Sequence, residues 1–457
     1  AASWPALRRA ARITVREAIE DHGVVAEYGL RPLDRAAARV PIISRRSQMG
    51  LRNATRRAGR TFATAVPIAL AVGTMLAFGS VLITAVDEDL NSFDLEGDLR
   101  LAFDARRGRW SVDADYQLLA LYGDSIEWTR SLPGVAGPFI ERLVDDERRL
   151  FDLTDVIRDD GKSAILHRLD RLAITYTSDK AVARFGRQAL SWGNGLFYSP
   201  MDLVNPFDPA TIDTEFKAGD DMLYLQYLRD NGDDIQSAIV FRRDPLTGDV
   251  ESDQATTAVK YHGIAGDNEF DVLIADSYGD TVLGLGGIRS IGGAIWRGDL
   301  VIADTDDDVT MQLVTNLSYS WIWNDKNVSG AIEYYYNGFG ESGDYDPASL
   351  AANPELLERF ARRELFALGR HYVAGSLLIE MSPLWTVTPT LLANVEDPSA
   401  LFQFVTQYSL SDNMTFLGSI NVPLGKDGTE FGGIEAGLPD TYLSTDASLF
   451  AQLAWYF

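Results

Sequence analysis

From about residue 93 onward, apolar and polar side chains alternate one by one. Phe93, Leu95, Leu99, Leu101 and Phe103 fall on one face, and Asp94, Glu96, Asp98, Arg100 and Asp104 on the other. The following segment sets Trp110, Val112, Ala114, Tyr116, Leu118 and Tyr122 on a single face, with aromatics at both ends. Residues 309–321 and 385–395 repeat the pattern. A period of two is the signature of a strand whose faces meet different surroundings. Runs of roughly 9 to 13 residues suffice to cross a bilayer when tilted, whereas strands of soluble sandwiches and propellers usually run about 5 or 6. Greasy faces with aromatic ends predict strands that meet lipid and two interfaces.

The connections also alternate, short then long. Thr177–Lys180, Trp323–Asn327, Ser382–Pro383 and Ser411–Asn413 are short, while residues 123–164, 193–220, 339–368 and 424–445 are long. Short periplasmic turns and long external loops are arranged in this way. The predicted fold is all-β, an antiparallel transmembrane β-barrel of about 18 strands (16–18). About 17 strands can be counted after Asp87, and an even number is required. The odd count means a misjudged segment, a missing N-terminal strand, or a strand supplied by residues 75–86. Asn353, Pro354 and Glu355 predict a helix start inside one long loop. A less regular apolar stripe over 141–157 predicts another.

Before the alternation lies a different chain. Residues 1–86 carry 13 Arg, no Lys and 5 acids, whereas residues 87–457 carry 28 basic and 61 acidic side chains. Such a swing divides the chain into an Arg-rich helical segment (1–60), an uncharged apolar segment (61–86) and the barrel (87–457). The apolar segment is long enough for a transmembrane helix and also fits a leader starting at Met49. Its basic N-terminal flank places that side in the cytoplasm. The acidic remainder makes nucleic acid an unsuitable partner, and the absence of cysteine excludes disulfides and thiolate metal sites.

Three resemblances add to this reading. The string GLRNATRRAGRTFATAVPIALAVG (residues 50–73) resembles the start of a transmembrane unit in FtsX/MacB-type ABC transporter permeases, as does the stretch REAIEDHG. That family has several membrane helices and this chain has one, so the resemblance implies a fragment, joined by fusion or used as a leader or anchor. GRQALSWGNGLF (186–197) followed by SPMDLVNPFDP resembles porin-like and alginate-export-like barrels, where such a strand leads into an ordered loop. The end of the chain, with Leu453, Trp455 and Phe457 on one face, resembles the β-signal read by the outer-membrane barrel assembly machinery.

Candidate chemistry then follows from the polar face. Literal alternation places Arg100, Arg171, Arg187, Arg242, Lys260 and Arg297 in the lumen beside Glu269, Asp271, Glu333, Glu380 and Glu396. Unpaired ions in a dry interior would cost several kcal/mol each, so the interior is wet or densely paired. The 193–220 loop is too apolar for a freely solvated connection. Phe197, Met201, Asp202, Pro206, Phe207 and Asp208 are expected to fold toward the pore as a constriction, fixed by a pair between Arg187 and Asp202 or Asp208. Only four histidines are present, without GxSxG or HExxH patterns, so catalysis is not expected. The acids 304–308 lack EF-hand spacing, and no cofactor or metal is implied. The expected function is a passive outer-membrane channel or export pore for a hydrophilic or amphipathic solute, with outer-membrane lipid and lipopolysaccharide as surroundings. The other reading is a non-transport envelope barrel or a partner of an ABC-type exporter.

Overall fold

The computed structural model describes residues 80–85, 91–124, 126–127, 146–343, 345, 347–435, 442–443 and 447–456. The first strands are β1 (Ser80–Ala85), β2 (Asn91–Arg107), β3 (Trp110–Gly123), β4 (Thr154–Asp160), β5 (Ser163–Thr177), β6 (Ala181–Gln188) and β7 (Asp220–Leu228). They continue as β8 (Asp234–Val240), β9 (Thr256–Ala265), β10 (Asn268–Ser277), β11 (Asp280–Ile291), β12 (Ala294–Asp304), β13 (Val309–Trp323) and β14 (Lys326–Asn337). The last are β15 (His371–Ser382), β16 (Trp385–Asn394), β17 (Ser399–Ser411), β18 (Met414–Leu424), β19 (Ile434–Glu435), β20 (Tyr442–Leu443) and β21 (Ser448–Trp455).

One antiparallel sheet contains 19 of them, and β19 pairs only with β20. Within the sheet β4 pairs with β5 alone, beside β6 on the same edge. Leaving β4 aside, 18 strands remain, and each has two neighbours. β1 pairs with β2 on one side and with β21 on the other. The even count is therefore reached through Ser80–Ala85, which lies inside the apolar 61–86 segment. That end of the segment is a strand, not part of a helix; the rest of residues 1–86, including the permease-like string, lies outside the described residues apart from these six.

At one end of the strands the connections are short, and at the other end short turns (278–279, 305–308 and 395–398) stand among the long ones. The β13–β14 turn holds Asn324 and Asp325 at φ 49° and 59°, the left-handed pair that matches hairpin twist. Gly292 and Gly293 do the same between β11 and β12, at φ 58° and 93°. The long connections gather at the other end. One carries α1 (Pro347–Ala351) and α2 (Pro354–Ala361), and Asn353 Oδ1 caps α2 by accepting the Leu356 amide at 3.1 Å. The 141–157 stripe does not end in a helix: residues 154–160 form β4, hydrogen-bonded to β5.

The two faces of the sheet reverse the usual rule of burial. In β10, Asp271, Leu273, Ala275 and Ser277 are buried while Phe270, Val272 and Ile274 are exposed. Leu283, Leu285, Leu317, Ile332, Leu391 and Ile420 are likewise exposed on neighbouring strands. Exposed aromatics cluster near the short turns: Trp110, Tyr227, Trp296, Trp321, Trp385 and Tyr408. The apolar core of the described residues lies toward the long connections, where Met201 and Val204 pack with Met222, Val240, Leu273 and Val301.

Candidate functional site

The strand register assembles a polar strip on the face opposite the exposed apolar one. His262 pairs with Asp271, Asp271 with Gly286, Gly286 with Asp299, and Asn316 with Glu333. A connection of 31 residues between β6 and β7 (189–219) is fastened to this strip. Asp299 accepts the Asn194 amide at 2.5 Å and the Asn194 side chain at 2.6 Å. Glu333 accepts three successive backbone amides, from Leu196 at 2.5 Å, Phe197 at 3.0 Å and Tyr198 at 2.8 Å. Asn316 donates both to Asn194 O and to Glu333. Charge-assisted bonds to buried amides are the strong kind. Gly286 leaves room for them: a Cβ there would lie 2.6 Å from Asp299 Oδ1 and 2.8 Å from the Asn194 side-chain nitrogen Nδ2.

The same connection reaches other strands. Trp192 Nε1 donates to Gln236 on β8 at 2.7 Å, and Gln403 on β17 donates to Ala210 O at 2.8 Å. Gln452 on β21 donates to Asp213 at 2.9 Å, and Tyr456 to Glu215 at 2.6 Å. Arg171 on β5 donates to Lys217 O, and the Arg100 guanidinium on β2 lies 4.0 Å from the Phe216 ring centre. Tyr198 stacks on Tyr335 of β14 at 4.6 Å and tilts against Tyr372 of β15. Within the connection Asp202 pairs with Lys217 at 2.5 Å. Burial pushes the Asp202 carboxyl up to about 6 and pulls Lys217 down, because the pair's mutual attraction does not fully repay desolvation.

The expected pairing of Arg187 is corrected by the register. Arg187 stands opposite Asp221 across β6 and β7, and its Nε and Nη2 donate to both Asp221 oxygens at 3.0 Å. Its Nη1 lies 2.9 Å from Asp146, in ion-pair rather than hydrogen-bond geometry. Neither Asp202 nor Asp208 takes that role: Asp202 belongs to Lys217, and Asp208 Oδ1 accepts the Ala210 amide at 2.8 Å. Asp221, Asp146 and Lys217 were not among the expected site residues. Register was the signal for Asp221, since Asp220 and Asp221 open the strand that returns beside GRQ.

The other expected residues separate into groups. Arg100 and Arg171 join Arg168 around Asp170. Arg242 pairs with Asp220 at 3.2 Å and Lys260 with Asp271 at 3.3 Å. His262 is held between Asp271 and Glu269. Arg297 donates to Ser318, Glu380 accepts from Asn327, and Glu396 accepts the Arg370 amide, all away from the 189–219 connection. In that connection Phe197 packs on the Tyr198 cluster, Met201 is fully buried, and Pro206 and Phe207 line a cavity of about 80 Å³. Leu453 and Trp455 pair with Phe416 and Met414 of β18, and Phe457 lies outside the described residues. Among the described residues no group of three or more His, Asp or Glu is placed to hold a metal ion.

A further buried carboxylate, Glu430 in the β18–β21 connection, was not expected. It accepts from the Leu368 amide at 2.9 Å, the Tyr372 hydroxyl at 2.6 Å and Asn394 at 2.9 Å. Burial nonetheless pushes its carboxyl up to about 7.

No family model and no curated protein matches the chain. Among solved structures it is similar to OccAB1 of Acinetobacter baumannii, at 8% identity and a TM-score of 0.47 over 82% of this chain and 93% of that one. It is also similar to Wzi of Escherichia coli, described as a carbohydrate-binding β-barrel of the outer membrane involved in group 1 capsule assembly. There the identity is 10% and the TM-score 0.45, over 87% and 88% of the two chains. A BenF-like porin from Pseudomonas fluorescens Pf-5 aligns at 8% identity and a TM-score of 0.43, over 82% and 95%.

Proposed function

We propose that the 18 strands close as a transmembrane barrel in a Gram-negative outer membrane, and that the barrel is a passive, porin-like channel or export pore for a hydrophilic or amphipathic solute. The observation that carries this reading is the reversed burial of the two faces. Ile274, Leu285 and Ile332 are more than half exposed while Arg187, Asp221, Asp299 and Glu333 are at most 1% exposed. In water an apolar surface of that extent would aggregate; against lipid it is the favourable arrangement. The aromatic residues near the short turns suit the boundary between hydrocarbon and headgroups, where lipid and, on the outer side, lipopolysaccharide would surround the protein. The pairing of β1 with both β2 and β21 leaves no unpaired edge between them, as lipid demands. We place the narrowest section at the 189–219 connection, where Phe197, Met201, Asp202, Pro206, Phe207 and Asp208 lie. Of the charged wall residues, Arg100, Arg171, Glu269, Arg297, Glu380 and Glu396 face the solute path, while Arg187, Arg242, Lys260, Asp271 and Glu333 are buried behind it.

Folded protein reconstituted in planar bilayers should give discrete conductance steps. Heat-modifiable, folded protein that never conducts, with or without the 189–219 connection, would defeat the proposal. One observation favours a non-transport barrel instead: the connection is bonded to strands as far apart as β5, β8, β14, β17 and β21. In that reading it acts as a cover, and conductance would emerge only after its removal.

A further inference from the structure

Between the 198–209 part of the connection and the segment after α2 lies the cavity of about 80 Å³. That is several times the space one water needs. Leu203, Phe207, Val301 and Phe366 give it apolar walls, and Asp202, Asp280, Arg359 and Glu364 supply its charges, Asp202 being paired with Lys217. The cations near it are already engaged. Arg359 bonds Asp280 at 2.6 Å, with Glu355 at 3.7 Å. Arg362 bonds Glu358 at 2.9 Å and lies 4.3 Å from the Tyr278 ring centre. Arg242 bonds Asp220 at 3.2 Å and lies 4.6 Å from the centre of the same ring.

Glu364 is the acid left over. No ion pair within 4 Å and no hydrogen bond to its carboxylate is found among the described residues, although Arg362, Arg359 and Arg242 act on it from a distance. Burial raises its carboxyl above the usual range, and those three arginines do not restore it. An anion on an apolar wall, with its neighbouring cations committed elsewhere, lacks one positive charge of modest size.

We propose that this cavity is a binding site for a small organic ammonium ion carrying a short aliphatic group, with the ammonium on Glu364 and the aliphatic part against Leu203, Phe207 and Val301. The site does not depend on whether the interior conducts. Apolar contact would contribute area-dependent affinity, and the charge-assisted bond to Glu364 would set the sign of the ligand. An anion of the same shape would meet Glu364 as a like charge, and a neutral alcohol would gain only the apolar part.

The test is isothermal titration calorimetry on folded, detergent-solubilised full chain with n-butylammonium, n-butanol and butyrate. The ammonium should bind at least about tenfold more tightly than the alcohol, a margin expected of one charge-assisted bond, and butyrate should bind least. Glu364→Gln should remove that margin while leaving the butanol signal in place. Ala303→Leu, which adds volume to the cavity wall, should weaken ammonium and alcohol alike. Equal affinity for ammonium and alcohol, unchanged ammonium binding in Glu364→Gln, or tighter binding of butyrate would each overturn the proposal. Failure of Glu364→Gln to fold leaves the three-ligand ranking and the Ala303 variant to decide it. Conductance is not among these readouts, so loss of channel activity and loss of the site are separable.

Discussion

Glu333 accepts the backbone amide of Tyr198 at 2.8 Å across 135 positions of sequence. The carboxylate stands on β14, and the amide belongs to the connection between β6 and β7. The position of that connection is thus set by strands far from it in sequence as well as by those that lead into and out of it.

Replacing Glu333 by Ala should free this contact without unfolding the sheet. Three amides lose their acceptor, and unsatisfied buried donors cost about 1–3 kcal/mol each. Hydrogen exchange at Leu196, Phe197 and Tyr198 should accelerate at least tenfold, with the heat-modifiable fraction unchanged. Unaltered exchange would show that the anchor is dispensable.

Deleting residues 199–210 is expected to raise single-channel conductance markedly while the barrel still folds. The segment contains Met201, Pro206 and Phe207, and its Ala210 carbonyl accepts from Gln403 on β17. Conductance equal to that of the intact chain would move the narrowest section elsewhere.

Glu430 makes stability depend on pH. Its folded-state carboxyl is raised to about 7, against roughly 4.3 when unfolded. Between those values the unfolded chain has released its proton and the folded chain has kept it. Stability is therefore greatest below about pH 4, falls as pH rises toward 7, and is level above. The loss is on the order of 2 kcal/mol once partial solvent access is allowed for. Asp202 titrates in the same direction, so the comparison must be with Glu430→Gln. The difference in thermal midpoint between the two proteins at pH 5 should shift in favour of the variant at pH 8. A difference that does not move with pH would refute the assignment.

Ion selectivity should favour cations. Five of the six expected lumen bases are neutralised locally: Arg100, Arg171, Arg187, Arg242 and Lys260 each pair with an aspartate. Asp104, Asp113 and Asp115 on β2 and β3 take part in no ion pair within 4 Å among the described residues. A wall with that surplus focuses a negative potential. A reversal potential in a salt gradient should show a few-fold preference for K⁺ over Cl⁻, and a clear anion preference would reverse this account.

Much of the strand architecture could be read from local pattern, because alternation needs only neighbours in sequence. The turn at Asn324 and Asp325 and the cap at Asn353 were legible for the same reason. The stripe over 141–157 misled because apolar spacing in a short irregular run does not separate helix from the strand that forms at Thr154–Asp160. The strand at Ser80–Ala85 was obscured by an unbroken apolar run, in which no period stands out. Site chemistry was less legible. Glu333 could be placed on the polar face, but its hold on Tyr198 depends on where a 31-residue connection travels. Nearness in sequence points Arg187 to acids in the adjoining loop, whereas strand register brings Asp221 opposite it.

The pairing of Val81 with Ala451 joins positions 370 apart. Looping entropy grows only logarithmically with such distance, by about 0.6 kcal/mol per doubling, so the burden is temporal more than energetic. Until β21 has been made and delivered, β1 and β18 are both open templates for any passing chain. Every molecule in transit is then an aggregation hazard for the whole of its synthesis. Its safety during that interval must come from chaperoning outside the fold, because the sheet itself offers none until its last member arrives.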